Sequence, residues 1–125
     1  MDHAEEIVIK LCDSPLVLMH KEETNTTVEL INSCFDKMTE LSQGKEYDFI
    51  LDLSKASPPS VEVRHQIKAR YQKIDPPIRS LMICVGSNYL MKVALQFVMP
   101  IVTIKETIKI CKSPTQALSE LKGRQ

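Results

Sequence analysis

The residues of this chain that could do chemistry gather where an apolar run gives way to a polar one. Tyr47 to Leu53 reads Tyr-Asp-Phe-Ile-Leu-Asp-Leu, and Ser54, Ser57 and Ser60 follow around Pro58-Pro59. A carboxylate at Asp52, at the end of a strand, is able to bind a metal or to accept hydrogen bonds from its own loop. The second role is expected. A receiver-type metal site needs an acidic pair at the end of its first strand and a lysine late in the chain. The first strands here end at Cys12-Asp13 and Met19-His20-Lys21, without such a pair.

A serine nucleophile needs a base and a group that orients the base. The strained Gly-x-Ser-x-Gly elbow is absent, and no spacing ties His3, His20 or His65 to the serines. No catalytic residue is assigned, no metal or cofactor is expected, and the chain reads as a non-enzyme. Ser57 and Ser60 fit as N-caps of the helix that follows. They are also candidate phosphorylation sites, because a helix N-terminus favours an added dianion.

Two further groups bear on binding. Arg64, His65, Lys68, Arg70 and Lys73 make the following helix basic, and Arg64 and Lys68 lie one turn apart. They form a solvated face or a docking stripe for an acidic partner. Gly86-Ser87-Asn88 follows an apolar run and opens a helical pattern. Free backbone N–H groups there could cradle an anion or small ligand. The glycine repeat of a nucleotide loop is missing, so a cap and turn is the plainer reading.

The totals narrow the function classes. A chain of 125 residues with 43% apolar content makes one domain, 1–125, with a real core. Sixteen basic residues balance sixteen acidic ones, and there is no Trp. Neither a strong field nor stacking platforms point to nucleic acid. Cys12, Cys34, Cys84 and Cys111 show no Cys-x-x-Cys pair and read as reduced thiols packed in apolar segments. The acidic start lacks a signal-peptide layout, and no run approaches the roughly 18 residues of a membrane span. A cytoplasmic protein, not an integral membrane one, is expected.

The elements that must position these residues follow from periodicity. Glu6–Cys12 and Leu16–Met19, joined by Asp13-Ser14-Pro15, predict a β-hairpin. Val28, Ile31, Cys34, Phe35, Met38 and Leu41 predict a helix over 24–42, with caps among Thr24, Asn25, Thr26 and Thr27 and a left-handed Gly44 after it. Tyr47–Leu53 predicts a strand buried on both faces. A helix over 60–74, stopped by Pro76-Pro77, a strand over 78–85 and a helix over 89–99 follow. The apolar cluster Phe97, Val98, Met99, Ile101 and Val102 around Pro100 is core, or a patch for a homodimer or lipid contact. A strand over 107–112 and a helix opened by Ser113-Pro114-Thr115-Gln116 close the chain. The prediction is an α/β fold: an N-terminal hairpin, three βα crossover units, and a mixed, mostly parallel central sheet covered by helices.

This layout resembles the STAS domain family, that of the anti-sigma-factor antagonists, together with bacterial proteins grouped with STAS and CRAL-TRIO lipid-binding domains. Tyr47-Asp-Phe-Ile-Leu-Asp-Leu-Ser54 with its following helix carries the likeness, as does Ile108-Lys-Ile-Cys-Lys-Ser-Pro-Thr-Gln-Ala-Leu118. Antagonists of this family place an Asp-Ser or Asp-Thr pair at the opening of the helix, and a partner kinase phosphorylates the hydroxyl. Counted from Asp52, those places fall on Ser60 and Val61 here, so this chain lacks the hydroxyl at the family's position. The resemblance implies a regulatory or protein-interaction module, with partner contact through Ser54, Ser57, Ser60, Arg64 and Lys68. The alternative is a small-molecule or lipid carrier with an apolar cavity between the sheet and the 89–99 helix.

Overall fold

Strand and helix periods alternate along the chain, and most segments fold as their period dictates. The structure is a computed structural model that describes residues 7–22, 26–88, 91 and 107–123. Strands β1 (Val8–Asp13) and β2 (Leu16–Lys21) pair antiparallel across the Ser14-Pro15 turn, with an irregularity in register between Lys10 and Cys12. Strand β2 then runs parallel to β3 (Tyr47–Asp52), β3 to β4 (Ile78–Cys84), and β4 to β5 (Thr107–Cys111). The spatial order is β1-β2-β3-β4-β5, which puts β3 in the middle of a mixed, mostly parallel sheet. The α/β class expected from the sequence is the one found.

Helix α1 (Val28–Ser42) connects β2 to β3, and α2 (Val61–Gln72) connects β3 to β4. Two right-handed crossovers that step the same way across a sheet place their helices on the same face. Leu18, Phe49, Leu81 and Ile83 accordingly pack with Ile31, Phe35 and Met38 of α1 and Val63 of α2. The closing helix α3 (Pro114–Gly123) covers the opposite face, where Val17, Ile50, Met82 and Cys84 meet Ala117 and Leu121. Alternate residues of one strand thus enter two cores, which is why β3 and β4 are buried on both faces.

Local chemistry sets the helix ends. The Leu30 N–H donates to Thr27 Oγ1 at 3.1 Å, so Thr27 is the cap of α1. The helix therefore starts at Val28, later than the expected residue 24; Thr24 and Asn25 lie outside the described residues. Past its end, both Gln43 (φ 51°) and Gly44 (φ 78°) are left-handed, so the reversal begins one residue before the glycine. The Lys45 N–H closes that turn on the Ser42 carbonyl at 3.0 Å. Helix α2 ends at Gln72, two residues short of expectation. Residues ahead of a proline resist helical geometry, and the chain tightens instead through bonds from Lys73 and Ile74 to the Arg70 and Tyr71 carbonyls.

In α3 the Gln116 N–H donates to Ser113 Oγ, and Gln116 Oε1 accepts from the Lys112 N–H. The side chain returns one residue upstream of a standard capping box. The helix expected over 89–99, the cluster around Pro100 and the homodimer or lipid patch drawn from it lie outside the described residues. Met91 alone is described there, helical and buried.

Candidate functional site

The sheet ladder continues one residue past β2, β3 and β4 at their carboxyl ends. The Glu22 N–H donates to the Asp52 carbonyl (2.9 Å), Leu53 to Cys84 (2.7 Å) and Val85 to Cys111 (3.1 Å). These bonds hold Glu22, Leu53 and Val85 in a common row, from which the loops leave. The Ser54–Ser60 segment is the loop after β3, and Gly86-Ser87-Asn88 is the turn after β4.

The structure brings those two segments together. The Asn88 side-chain amide donates to the carbonyls of Leu53 (3.0 Å) and Ala56 (2.9 Å), while its Oδ1 accepts from the Met91 N–H (3.3 Å). Gly86 has φ +56°, and a β-carbon built on it would lie 3.4 Å from Ser54 Cβ. The turn is thus a buttress for the serine loop, and Ser87 is exposed. Asp52 behaves as expected of a loop acceptor: its Oδ1 takes the Ser54 N–H at 3.1 Å. Ser60 Oγ accepts from the Val63 N–H at 3.2 Å as the α2 cap. Ser57 is exposed.

The basic stripe divides. Arg70 is spent inside the fold: it donates to Asn32 Oδ1 (3.1 Å) and Asp36 Oδ1 (2.6 Å) and lies over the Phe35 ring. With Gln66 Nε2 on Asn32 Oδ1 at 2.6 Å, it clasps α2 to α1. Lys68 is exposed and Arg64 half-buried, and neither enters an ion pair among the described residues.

Beneath the serine loop lies a cavity of about 150 Å³. Its floor is the sheet (Phe49, Leu51, Leu81, Ile83), and its walls are Ile31, Cys34 and Phe35 of α1 and Val63, Ile67 and Tyr71 of α2. Leu53, Ala56, Ser57 and Pro59 close one end. An apolar cavity of roughly this size is able to hold a benzene-sized molecule. The sequence placed an apolar cavity against the 89–99 helix; the described walls are the sheet, α1 and α2, with Met91 adding to the lining.

Among the described residues, the charged ones that line it are His20 and Glu22, at the carboxyl end of β2. His20 is 4% and Glu22 7% exposed. Nε2 of His20 lies 3.1 Å from Glu22 Oε2, and Nδ1 lies 2.7 Å from the Ile7 carbonyl oxygen. Burial alone pushes the imidazolium pKa down. The Glu22 hydrogen bond, the Ile7 carbonyl and the Glu22 charge outweigh it, so the net shift is upward. Burial likewise pushes Glu22 up, and bonds to His20 and Thr26 with the His20 charge bring it below its ordinary value.

Motif spacing does not reveal this pair, because it offers His20 only as a base for distant serines. A period-two reading of Leu16, Leu18, His20 and Glu22 would have found it, since alternate residues of a strand share a face. A second missed pair is Asp48 with Arg79: Nε and Nη2 of the guanidinium meet the two carboxylate oxygens at 3.1 and 2.6 Å. This fork satisfies both oxygens of a strand carboxylate that is only 2% exposed.

Among the described residues, no group of three His, Cys, Asp or Glu side chains is placed to hold a metal ion. No described helix is long and apolar enough to cross a membrane. No family model, no curated protein and no solved structure matches the chain.

Proposed function

We propose that this chain is a non-enzymatic interaction module of the STAS-like type, which meets a protein partner through the 54–65 segment. One observation carries the reading: that segment has two working sides. Lys55, Ser57, Pro58, Ser60 and Val61 are exposed, Val61 at 57%. Ala56, Pro59 and Val63 of the same stretch line the cavity. A partner on the outside would meet an apolar Val61 flanked by hydroxyls, with the cations Arg64 and Lys68 one and two turns further along α2. Such a mixture of an apolar centre and a charged rim suits a transient protein contact.

The test is affinity capture with quantitative mass spectrometry. Wild type is compared with Arg64→Glu/Lys68→Glu, Val61→Asp and the remote control Lys37→Glu. The reading expects a protein held by wild type and control and lost from both loop-side variants. Equal recovery by all four defeats the docking surface.

The cavity favours a second reading, a carrier or sensor of a small apolar molecule. The two readings are compatible, because a molecule in the cavity would press on the inner side of the contact loop. Native mass spectrometry of gently prepared protein should show a retained small molecule. Protein free of any such mass in every preparation counts against carriage of a tightly held ligand.

A further inference from the structure

The cavity walls are apolar, but one end carries a fixed pair of opposite charges whose remaining hydrogen-bonding capacity is lopsided. Both ring nitrogens of His20 are engaged, Nδ1 with the Ile7 carbonyl and Nε2 with Glu22 Oε2. The ring has no N–H left for a ligand. Glu22 Oε2 is engaged by His20 Nε2. An ionised carboxylate has about four lone-pair positions, so Glu22 keeps acceptor capacity. The other polar side chains described at the wall, including the Ser57 and Tyr71 hydroxyls, are uncharged. A ligand head buried there is therefore met by an acceptor. A carboxylate head would face Glu22, with no cationic donor free to receive it among the described lining residues, and a buried polar group without a partner is costly.

Resting on the cavity reading above, we propose that the site takes a small, benzene-sized apolar molecule bearing one hydrogen-bond donor, an alcohol, a phenol or a primary ammonium, seated against Glu22. The site discriminates against carboxylates of the same shape.

Four probes of similar size test this with the full chain near pH 6: toluene, phenol, benzylamine and benzoate, titrated by calorimetry and by ligand-observed NMR. Phenol and benzylamine should bind wild type at least about tenfold more tightly than benzoate, the difference expected for one charge-assisted hydrogen bond gained against one unmade. Glu22→Gln should abolish the benzylamine advantage and leave toluene binding within about twofold, as expected when the apolar contacts persist.

Benzoate binding as tightly as phenol overturns the donor rule while leaving the cavity reading intact. Failure of all four probes to bind overturns the cavity reading and the rule together. If Glu22→Gln does not fold, the wild-type series decides alone.

Discussion

His20 Nε2 stands 3.1 Å from Glu22 Oε2 with both side chains buried, and the other nitrogen of the same ring faces a backbone carbonyl. A ring between two acceptors is satisfied on both sides only as the imidazolium. The cation and its counter-charge form one unit at the carboxyl edge of the sheet, on the face covered by α1 and α2.

That unit makes stability depend on pH. The His20 pKa is raised above 6.5, so its contribution is complete below 6.5 and is lost as pH rises through the folded-state value. The Glu22 pKa is lowered from 4.5, so its contribution is complete above 4.5 and is lost as pH falls through the folded-state value. The advantage of wild type over Glu22→Gln should therefore be greatest between 4.5 and 6.5 and shrink on either side. Urea midpoints measured across pH for both proteins check this. A constant difference would show that the pair does not titrate as a unit.

Tyr47 is buried in the core beneath α1 and α2, its ring edge-on to Phe49 at 6.4 Å, and its hydroxyl has no hydrogen-bond partner among the described residues. An unpaired buried hydroxyl costs about 1–3 kcal/mol. Tyr47→Phe should raise stability by about 1 kcal/mol, within that range. Chemical denaturation gives the sign directly, and a loss of stability would mean that the hydroxyl is satisfied in solution.

Asn88 joins the two loops at the carboxyl edge. Asn88→Ala removes two donors from buttressed carbonyls and one acceptor from Met91, and should cost about 1–2 kcal/mol. Ser87→Ala, on an exposed side chain of the same turn, should change stability by less than about 0.5 kcal/mol. Hydrogen exchange in residues 54–60 should quicken in the Asn88 variant only. Equal protection in both variants would remove the buttress.

The thiols should react in a fixed order. Burial pushes Cys34 and Cys84 up to about 12, and Cys34, Cys84 and Cys111 are all buried while Cys12 is partly exposed. Thiolate is the reactive form. Native alkylation followed by peptide mapping should label Cys12 first and the other three only after unfolding. Early labelling of Cys34 would mean that the cavity wall formed by α1 opens readily.

Much of the frame is legible in the sequence. The hairpin, the crossover helices α1 and α2 and the doubly covered strand at Tyr47–Leu53 came from period and turn chemistry, because an apolar run without alternation has to be covered on both faces. The role of Asp52 as a loop acceptor and of Ser60 as a cap came from the same local rules. Local rules also set their limits. Cap choice among four consecutive candidates and the exact end of α2 depend on packing and on the strain next to prolines, so boundaries moved by up to four residues.

What the sequence by itself determined was the order and type of elements, since these depend on neighbours within a few positions. Tertiary structure alone decided which distant residues meet. It set Asn88 against the serine loop, withdrew Arg70 from the basic stripe into the α1–α2 clasp, and gave Asp48 its Arg79 partner 31 residues away. It also turned His20 and Glu22 toward a cavity walled by the sheet, α1, α2 and the serine loop. Such pairings are fixed by sheet register and helix placement, and neither is written in the spacing of any one stretch.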